Sequence, residues 1–493
     1  MKKIYFPFLL SIILFSVHNL NAQDLKKLTF DEVITLAEEQ SPNALIAKHR
    51  FRASYWLYRT FVAQYRPSLM LNGTTPNYST AYDRVWNSTL SQYDYMSTNI
   101  LRNLASLSLS QNIGLTGGSI SLNSDLTLEN DFENDKRNYI TAPISIGLTQ
   151  PIFRYNSLKW QKKTEPLKYE AAKKTFLSNI ESVHQQAVMN FFQLATAQIN
   201  KQIAEMNYSN ADTLWRIAKG RYDLGTIAED ELLQMQLSWL NAETARKEAE
   251  MNLRDREIRL RSFLGFNENV RLELILPNTV PNLQVDVQEV LDLARANNPE
   301  MLNQQLTLLT AQSSVAQAKA EKGLNANLIA AFGLRDQDPS FRPAYEQSNQ
   351  QQSIRVGFTL PILDWGLGRG RYKMAQSSLE LAQVQSKQAL TDFEQNLLLD
   401  VEQFNLQANQ VAIAAKSDTV AMKMYEVTKQ RFLIGKIAVL ELNNADTKKD
   451  QNKRAYVQSL MNYWNYFYNI RNLALYDFIN RRPLETDFER LLE

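Results

Sequence analysis

The feature that most constrains this chain is an internal duplication. The segment LTFDEVITLAEEQSPN from Leu28 recurs as VDVQEVLDLARANNPE from Val285, setting Glu32 on Glu289, Val33 on Val290, Leu36 on Leu293, Ala37 on Ala294 and Pro42 on Pro299, 257 positions apart. A second match sets Gln150-Pro151-Ile152-Phe153 on Leu360-Pro361-Ile362-Leu363, 210 positions apart. It continues without a gap to KGRYDLGTIAEDELL from Lys219 and KQRFLIGKIAVLELN from Lys429. The offset falls by 47 between the two matches, so the first copy holds about that many extra residues between Pro67 and Pro151. Self-similarity of this kind means one supersecondary unit built twice, each copy needing neighbours to bury its apolar face.

Between Pro361 and Gly435 the chain has no proline and is rich in Ala, Leu, Gln, Lys and Glu, all strong helix formers. Leu390, Phe393, Leu397, Val401, Phe404, Ala408, Val411 and Ala415 advance in steps of three and four, the spacing of a coiled-coil seam. Ile180, Val183, Ala187, Phe191 and Leu194 stand in the same frame in the first copy. Some 65 residues of continuous helix would reach roughly 100 Å. Gly225 and Gly435 accept the positive φ that ends a helix and lets the chain reverse. A second periodic stretch then runs to Phe266 and to Tyr476, predicting long helical hairpins over 152–266 and 366–476.

Strands precede each hairpin. Residues 106–115 and 119–128 alternate polar and apolar around Gly117-Gly118, a hairpin turn signal. Ile144, Ile146 and Leu148 alternate before Pro151, as Ile354, Val356, Phe358 and Leu360 do before Pro361. Their expected partners are Leu69 and Leu71, and Leu328, Ala330, Phe332 and Leu334. The organisation predicted is a first repeat over 23–276 with strands in 67–150, a second over 277–480 with strands in 324–360, and a tail over 481–493. Alternation alone also suits a half-buried soluble sheet.

The first residues, MKKIYFPFLLSIILFSVHNLNAQ, set Lys2 and Lys3 ahead of a short apolar run and a small-residue ending, so residues 1–22 read as a secretory signal peptide cleaved after Ala22. With Lys2 and Lys3 removed, 54 basic side chains against 52 acidic ones become equal numbers, which leaves no field for nucleic acid. There is no cysteine, which excludes disulfides, thiolate metal sites, a cysteine nucleophile and a lipid-bearing cysteine. No later segment has the 18 or so uninterrupted apolar residues of a spanning helix. A β-barrel is therefore the only membrane-spanning form open to the mature chain.

Chemistry is sparse. His18 leaves with the leader, and His49 and His184 have no ligand spacing, so both read as surface or packing residues. No Lys-Ser or Lys-Thr phosphate loop, HExxH or Gly-x-Ser-x-Gly is present. GLGRG at Gly366–Gly370 reads as the bend that carries a strand into a helix. No enzymatic activity, cofactor or metal is expected.

The duplicated LTFDEVITLAEEQSP start, the strand-to-helix prolines of TQPIF and TLPILDWG, and the turns RYDLGTIAEDELL and RFLIGKIAVLELN together resemble the TolC-like outer-membrane efflux proteins over nearly all of the mature chain. The resemblance implies a mixed α and β fold: a homotrimer giving four strands per chain to a shared transmembrane barrel in outer-membrane lipid, which continues into a long periplasmic α-helical coiled-coil barrel. It implies a passive exit duct, with a periplasmic adaptor protein and an inner-membrane efflux pump or secretion transporter as partners. Carried over by position, Glu231 and Glu441, six residues after each turn glycine, fall at the pore constriction, with Asp230 as a supplement. A further family acid is replaced here by Gln234 and Asn444. Arg221 and Arg431 would hold the tip shut, and the turns Gly225-Thr226 and Gly435-Lys436 would dock the adaptor. For all these charged residues a solvated helix face is the plainer alternative.

Two expectations can be tested directly. The segment 78–138 has two readings, a longer extracellular loop with its own hairpin around Gly117-Gly118 or extra barrel strands, and the loop is favoured because four strands per chain is the family pattern. The rival to the duct is a non-conducting periplasmic coiled-coil scaffold; only a barrel requires an apolar lipid face bordered by aromatics.

Overall fold

The computed structural model describes residues 25–87, 91–266, 270–277, 279–434, 436–437 and 439–492. The leader with its cleavage site, and Gly435, lie outside the described residues. In chain order the elements are β1 (Leu25–Thr29), α1 (Phe30–Gln40), α2 (Pro42–Ala63), β2 (Ser68–Asn87), β3 (Gln92–Ile113), β4 (Gly118–Asp131), β5 (Lys136–Ile152), α3 (Ser157–Asp223) and α4 (Glu229–Leu264). They continue with β6 (Arg271–Ile275), α5 (Val287–Asn297), α6 (Pro299–Glu321), β7 (Asn325–Asp338), α7 (Phe341–Glu346), β8 (Asn349–Thr359), α8 (Leu367–Leu433) and α9 (Val439–Ala474). Two short strands, β9 (Tyr476–Asp477) and β10 (Arg482–Pro483), and a 3-10 turn at Arg490–Leu492 complete the chain. Helices α3 and α8 are each 67 residues long, and α4 and α9 each 36. Contacts divide the chain into two units, one comprising the residues up to His49 with Phe176–Asn298 and Gln395–Asp487, the other Arg50–Thr175 with Pro299–Glu394 and the residues from Phe488 on.

The first unit is mainly helical. Helix α1 starts with a capping box, in which Thr29 accepts from the Glu32 backbone N–H and the Glu32 carboxylate accepts from that of Thr29. Asp286 caps α5 by accepting from the Glu289 N–H at 3.0 Å. Pro42 and Pro299 each open the next helix, where a missing N–H costs nothing, and the preceding Ser41 and Asn298 are extended. The buried faces are those of the repeated motif: Val33, Ala37, Val290 and Ala294 are all fully buried. The core is aromatic, with the Phe30 ring 4.7 Å from Trp464 and 5.3 Å from Phe191, and Phe404 5.6 Å from Tyr463. Strand β1 pairs in parallel with β6, tying the start of the described chain to the end of the first hairpin.

The second unit carries a sheet of six strands in the order β2-β3-β4-β5-β7-β8, every neighbouring pair antiparallel. This corrects two expectations. The chain provides six strands to one sheet rather than four, and residues 78–138 are largely strand rather than an extracellular loop. Leu69 and Leu71 accordingly pair with Leu109 and Leu107 of β3, not with the strand before Pro151. The physical reason is that β3 and β4 have two-faced sequences whose backbone groups need partners on both flanks, and insertion between β2 and β5 satisfies all of them. The other expected partners meet as read: Leu328 stands opposite Val356 and Ala330 opposite Ile354. Helix α7, in the β7–β8 connection, packs on β5, where the buried Thr141 hydroxyl donates to the Ala344 carbonyl. Beside the strands, Tyr58 stacks on Tyr169 at 4.7 Å and Phe51 meets Phe488 at 5.1 Å, so the C-terminal tail folds back on α2.

Candidate channel wall and turn acids

Register assigns every strand residue to one of two faces, because successive side chains alternate. One face carries Leu69 and Leu71 of β2, Leu107 and Leu109 of β3, Ile120 and Leu122 of β4, Ile146 and Leu148 of β5, Leu328, Ala330 and Phe332 of β7, and Ile354, Val356 and Phe358 of β8. Most of these apolar side chains are exposed, Leu71 by 75% and Ile354 by 80%. Above the band on the same face stand Tyr78, Tyr82 and Trp86 of β2, Tyr93 and Tyr95 of β3 and Tyr139 of β5. Phe153 and Trp365 are exposed at the strand-to-helix junctions below.

The opposite face is polar. It bears Ser106, Ser108 and Ser110 of β3, Ser121, Asn123, Asp125 and Glu129 of β4, and Arg355, Ser353 and Gln351 of β8. These side chains bond across the strands: Ser108 donates to Asn123 at 2.6 Å, Ser106 donates to Asp125, and Arg102 pairs with Glu129 at 2.6 Å. A cavity of 410 Å³ opens mainly on this side. Each Leu–Leu pair on the apolar face is aligned with a polar pair one residue away, so a slip in register would reverse both faces.

At the far end of the first hairpin, Gly225 has φ of 70° and its N–H bonds to the Tyr222 carbonyl at 2.8 Å. The Arg221 carbonyl accepts from both the N–H and the hydroxyl of Thr226, each at 2.9 Å. This is the reversed bond that closes a left-handed C-cap. In the second hairpin, Lys436 N–H bonds to the Arg431 carbonyl at 3.0 Å, the same link 210 positions on. Asp230 and Glu231 lie in the first turn of α4, and Glu441 occupies the matching third position of α9; all three are exposed. Carboxylates there complement the partial positive charge of the helix start. Arg221 and Arg431 close α3 and α8, are exposed, and among the described residues neither meets a carboxylate of its own chain.

Sequence reasoning missed two clusters that brace the helices. Trp215 of α3 stacks on Trp239 of α4 at 5.0 Å, and at the two positions 210 residues later the Lys449 ammonium sits 4.2 Å from the centre of the Tyr425 ring. The buried Lys449 also pairs with Asp446 and Asp450. Asn207 donates to Asp450 at 3.0 Å and Asn210 to the Tyr425 hydroxyl at 3.4 Å, linking the two hairpins. The repeat offset, followed residue by residue, would have revealed this pairing.

The second cluster surrounds His184, which is buried with Nε2 3.2 Å from Glu38 and Nδ1 3.3 Å from the buried Glu181. Burial alone would lower the imidazole pKa, but the Glu181 and Glu38 carboxylates outweigh it and raise the pKa to about 9. Arg471 reaches the other side of Glu181 through two nitrogens, at 3.0 and 3.1 Å, and Asp477 at 3.3 Å. No single residue's neighbours in sequence predict this junction of α1, α3 and α9.

The family description Outer membrane efflux protein matches residues 34–266 and 290–473. The chain belongs to this family. The efflux protein shares its fold with CmeC, an outer membrane channel of Campylobacter jejuni, at 14% identity and a TM-score of 0.64 over 94% of this chain and 88% of that one. It likewise resembles the outer membrane protein VceC of Vibrio cholerae, at 12% identity and a TM-score of 0.61 over 90% and 95% of the two chains. No curated protein sequence matches it. As a family member the protein is an outer membrane efflux protein.

Proposed function

We propose that three copies of the efflux protein close their sheets into one barrel across the outer membrane and join their helices into a periplasmic conduit. The two halves of the chain act as copies of one unit, a reading supported by the equal lengths of α3 and α8 and of α4 and α9. The duct is passive: an inner-membrane pump or secretion transporter supplies the energy, and a periplasmic adaptor docks at the turns Gly225-Thr226 and Gly435-Lys436 and opens them. Glu231 and Glu441, with Asp230, set the charge of the constriction, and Arg221 and Arg431 pair between copies to hold it shut. Residues 1–22 direct export and are removed after Ala22, and no acyl chain anchors the mature protein.

The observation that carries this reading is the two-faced sheet. An exposed band of Leu, Ile, Val and Phe bordered by Tyr and Trp, backed by Ser, Asn and Asp, is the pattern of a wall with lipid on one side and water on the other. A soluble scaffold would leave that band in water as a large aggregation-prone patch. Membrane fractionation with heat-modifiable migration, followed by single-channel recording of purified protein, tests the proposal. Recovery in the outer-membrane fraction with discrete conductance steps is expected; soluble periplasmic recovery without conductance would favour the scaffold.

A further inference from the structure

We propose that the hairpin β3–β4 is part of the membrane wall, so that three copies close a barrel of 18 strands and the outer-membrane exit is wider than a wall of four-stranded chains would make it. This rests on the trimeric barrel proposed above and adds to it the number of strands and the calibre of the mouth.

The position of one turn decides where the hairpin belongs. An extracellular loop would place the β3–β4 turn at the end of the sheet remote from the helices. Instead, Gln111 and Asn112 at the end of β3 donate to the carbonyls of Tyr65 and Gln64, just past the end of α2, at 2.9 and 3.0 Å. Asn156, just before α3, donates to the Gly114 and Leu115 carbonyls at 3.2 and 3.1 Å. A Cβ at Gly114 would come within 2.7 Å of the Tyr65 ring, so this close seating requires glycine. The hairpin therefore reaches the helix ends and runs the full height of the band.

Both of its strands are bonded on both flanks, and its faces continue those of its neighbours. Leu107 lies between Leu71 and the β4 strand, and Leu122 lies between Leu109 and Ile146. The outermost strands, β2 and β8, run in opposite directions because the sheet has six antiparallel members. The β8 edge of one copy can thus pair antiparallel with the β2 edge of the next, and no strand edge is left open. Barrel diameter grows about linearly with strand number, so 18 strands give roughly 1.5 times the diameter of 12 and leave an aqueous bore. Cargo is then sized at the helical constriction and not at the exit.

The absence of cysteine lets single thiols report on each face without background. Leu107→Cys and Leu122→Cys test the hairpin's apolar face, Ser108→Cys its polar face, and Leu71→Cys and Ile354→Cys serve as controls on β2 and β8. The probe is a membrane-impermeant maleimide, applied to full-length protein in outer-membrane vesicles. The reactive thiolate is suppressed in an apolar setting, so Leu107→Cys and Leu122→Cys should react roughly tenfold or more slowly than Ser108→Cys, in step with the controls. If the two hairpin sites react as fast as Ser108→Cys while the controls stay protected, the hairpin lies outside the wall and this inference fails alone. If the controls react fast as well, the membrane barrel itself is wrong. Electron cryo-microscopy of the detergent-purified trimer gives an independent count, where 18 strands support the inference and 12 overturn it.

Discussion

His184 illustrates how a residue with no motif acquires a role from its surroundings. The sequence assigns it to the surface or to packing, and the structure buries it among Glu38 of α1, Glu181 of its own helix, and Tyr468 and Arg471 of α9. Because its folded pKa of about 9 lies above the ordinary value of 6.5, its contribution is complete below about pH 6.5 and is lost as pH rises through 9. The shift corresponds to at most about 3 kcal/mol. The thermal midpoint in mild detergent should therefore fall between pH 6.5 and pH 9.5, and His184→Gln should flatten that slope; an unchanged slope would show the imidazole to be neutral in the fold. On the acid side the Glu38 carboxyl is held below its ordinary range, chiefly by the His184 hydrogen bond, so its contribution is present above about pH 4.5 and fades as pH falls through the lowered value. Arg471→Met takes the two-pronged guanidinium from the buried Glu181, which keeps only His184 as a charged partner, and should cost about 1.5–3 kcal/mol. Chemical unfolding of the helical unit measures this, and Arg471→Lys, which keeps the charge but loses the two-pronged contact, should fall between the two.

The elements differ in how openly the sequence announces them. The long helices leave a clear signal in the sequence, since 67-residue helices need a sustained three-and-four spacing and a glycine to end them, and Gly225 provides that ending. Among the described residues nothing lies within 4 Å of where a Cβ on Gly225 would sit, so it is the positive φ that demands glycine. Gly225→Ala should therefore cost about 1 kcal/mol locally, seen as roughly fivefold faster hydrogen exchange at the Thr226 amide, and Gly225→Asn less, since Asn tolerates that conformation. A loss of the whole helical unit on Gly225→Ala would mean the turn is packed in a way the free space around it denies. The strands were legible as strands, but their number in the sheet was not. Leu107, Leu109, Ile120 and Leu122 alternate equally well in a free hairpin and in a wall, and only the bonds from Gln111 and Asn112 to the end of α2, and from Asn156 before α3 to the Gly114 and Leu115 carbonyls, distinguish them. Those partners are 41 to 48 residues away in sequence and leave no local signal. The charged braces were hidden for a related reason: Glu181 and Arg471 are 290 positions apart.

For the whole molecule, a question remains that one chain does not contain. Glu231 and Glu441 are exposed and unpartnered among the described residues of a single copy, each at the same position of the helix that follows a turn. In isolation that placement does no more than complement a helix start. Assembly changes it, since three copies would bring six of these carboxylates to the narrow end of one conduit, where low-dielectric walls concentrate their field. Such a ring favours cations over anions. Glu231→Gln combined with Glu441→Gln should therefore shift the reversal potential in a salt gradient toward zero, while the protein continues to migrate as a trimer in mild detergent. Asp230 precedes Glu231 only in the first hairpin, so Asp230→Asn added to the double variant should move the potential further in the same direction. The same helix-start placement makes the variants mild for folding, a few tenths of a kcal/mol each at an exposed site. An unchanged reversal potential in an intact trimer would place the acids on the outer surface of the helices, leaving the constriction to other residues of the two turns.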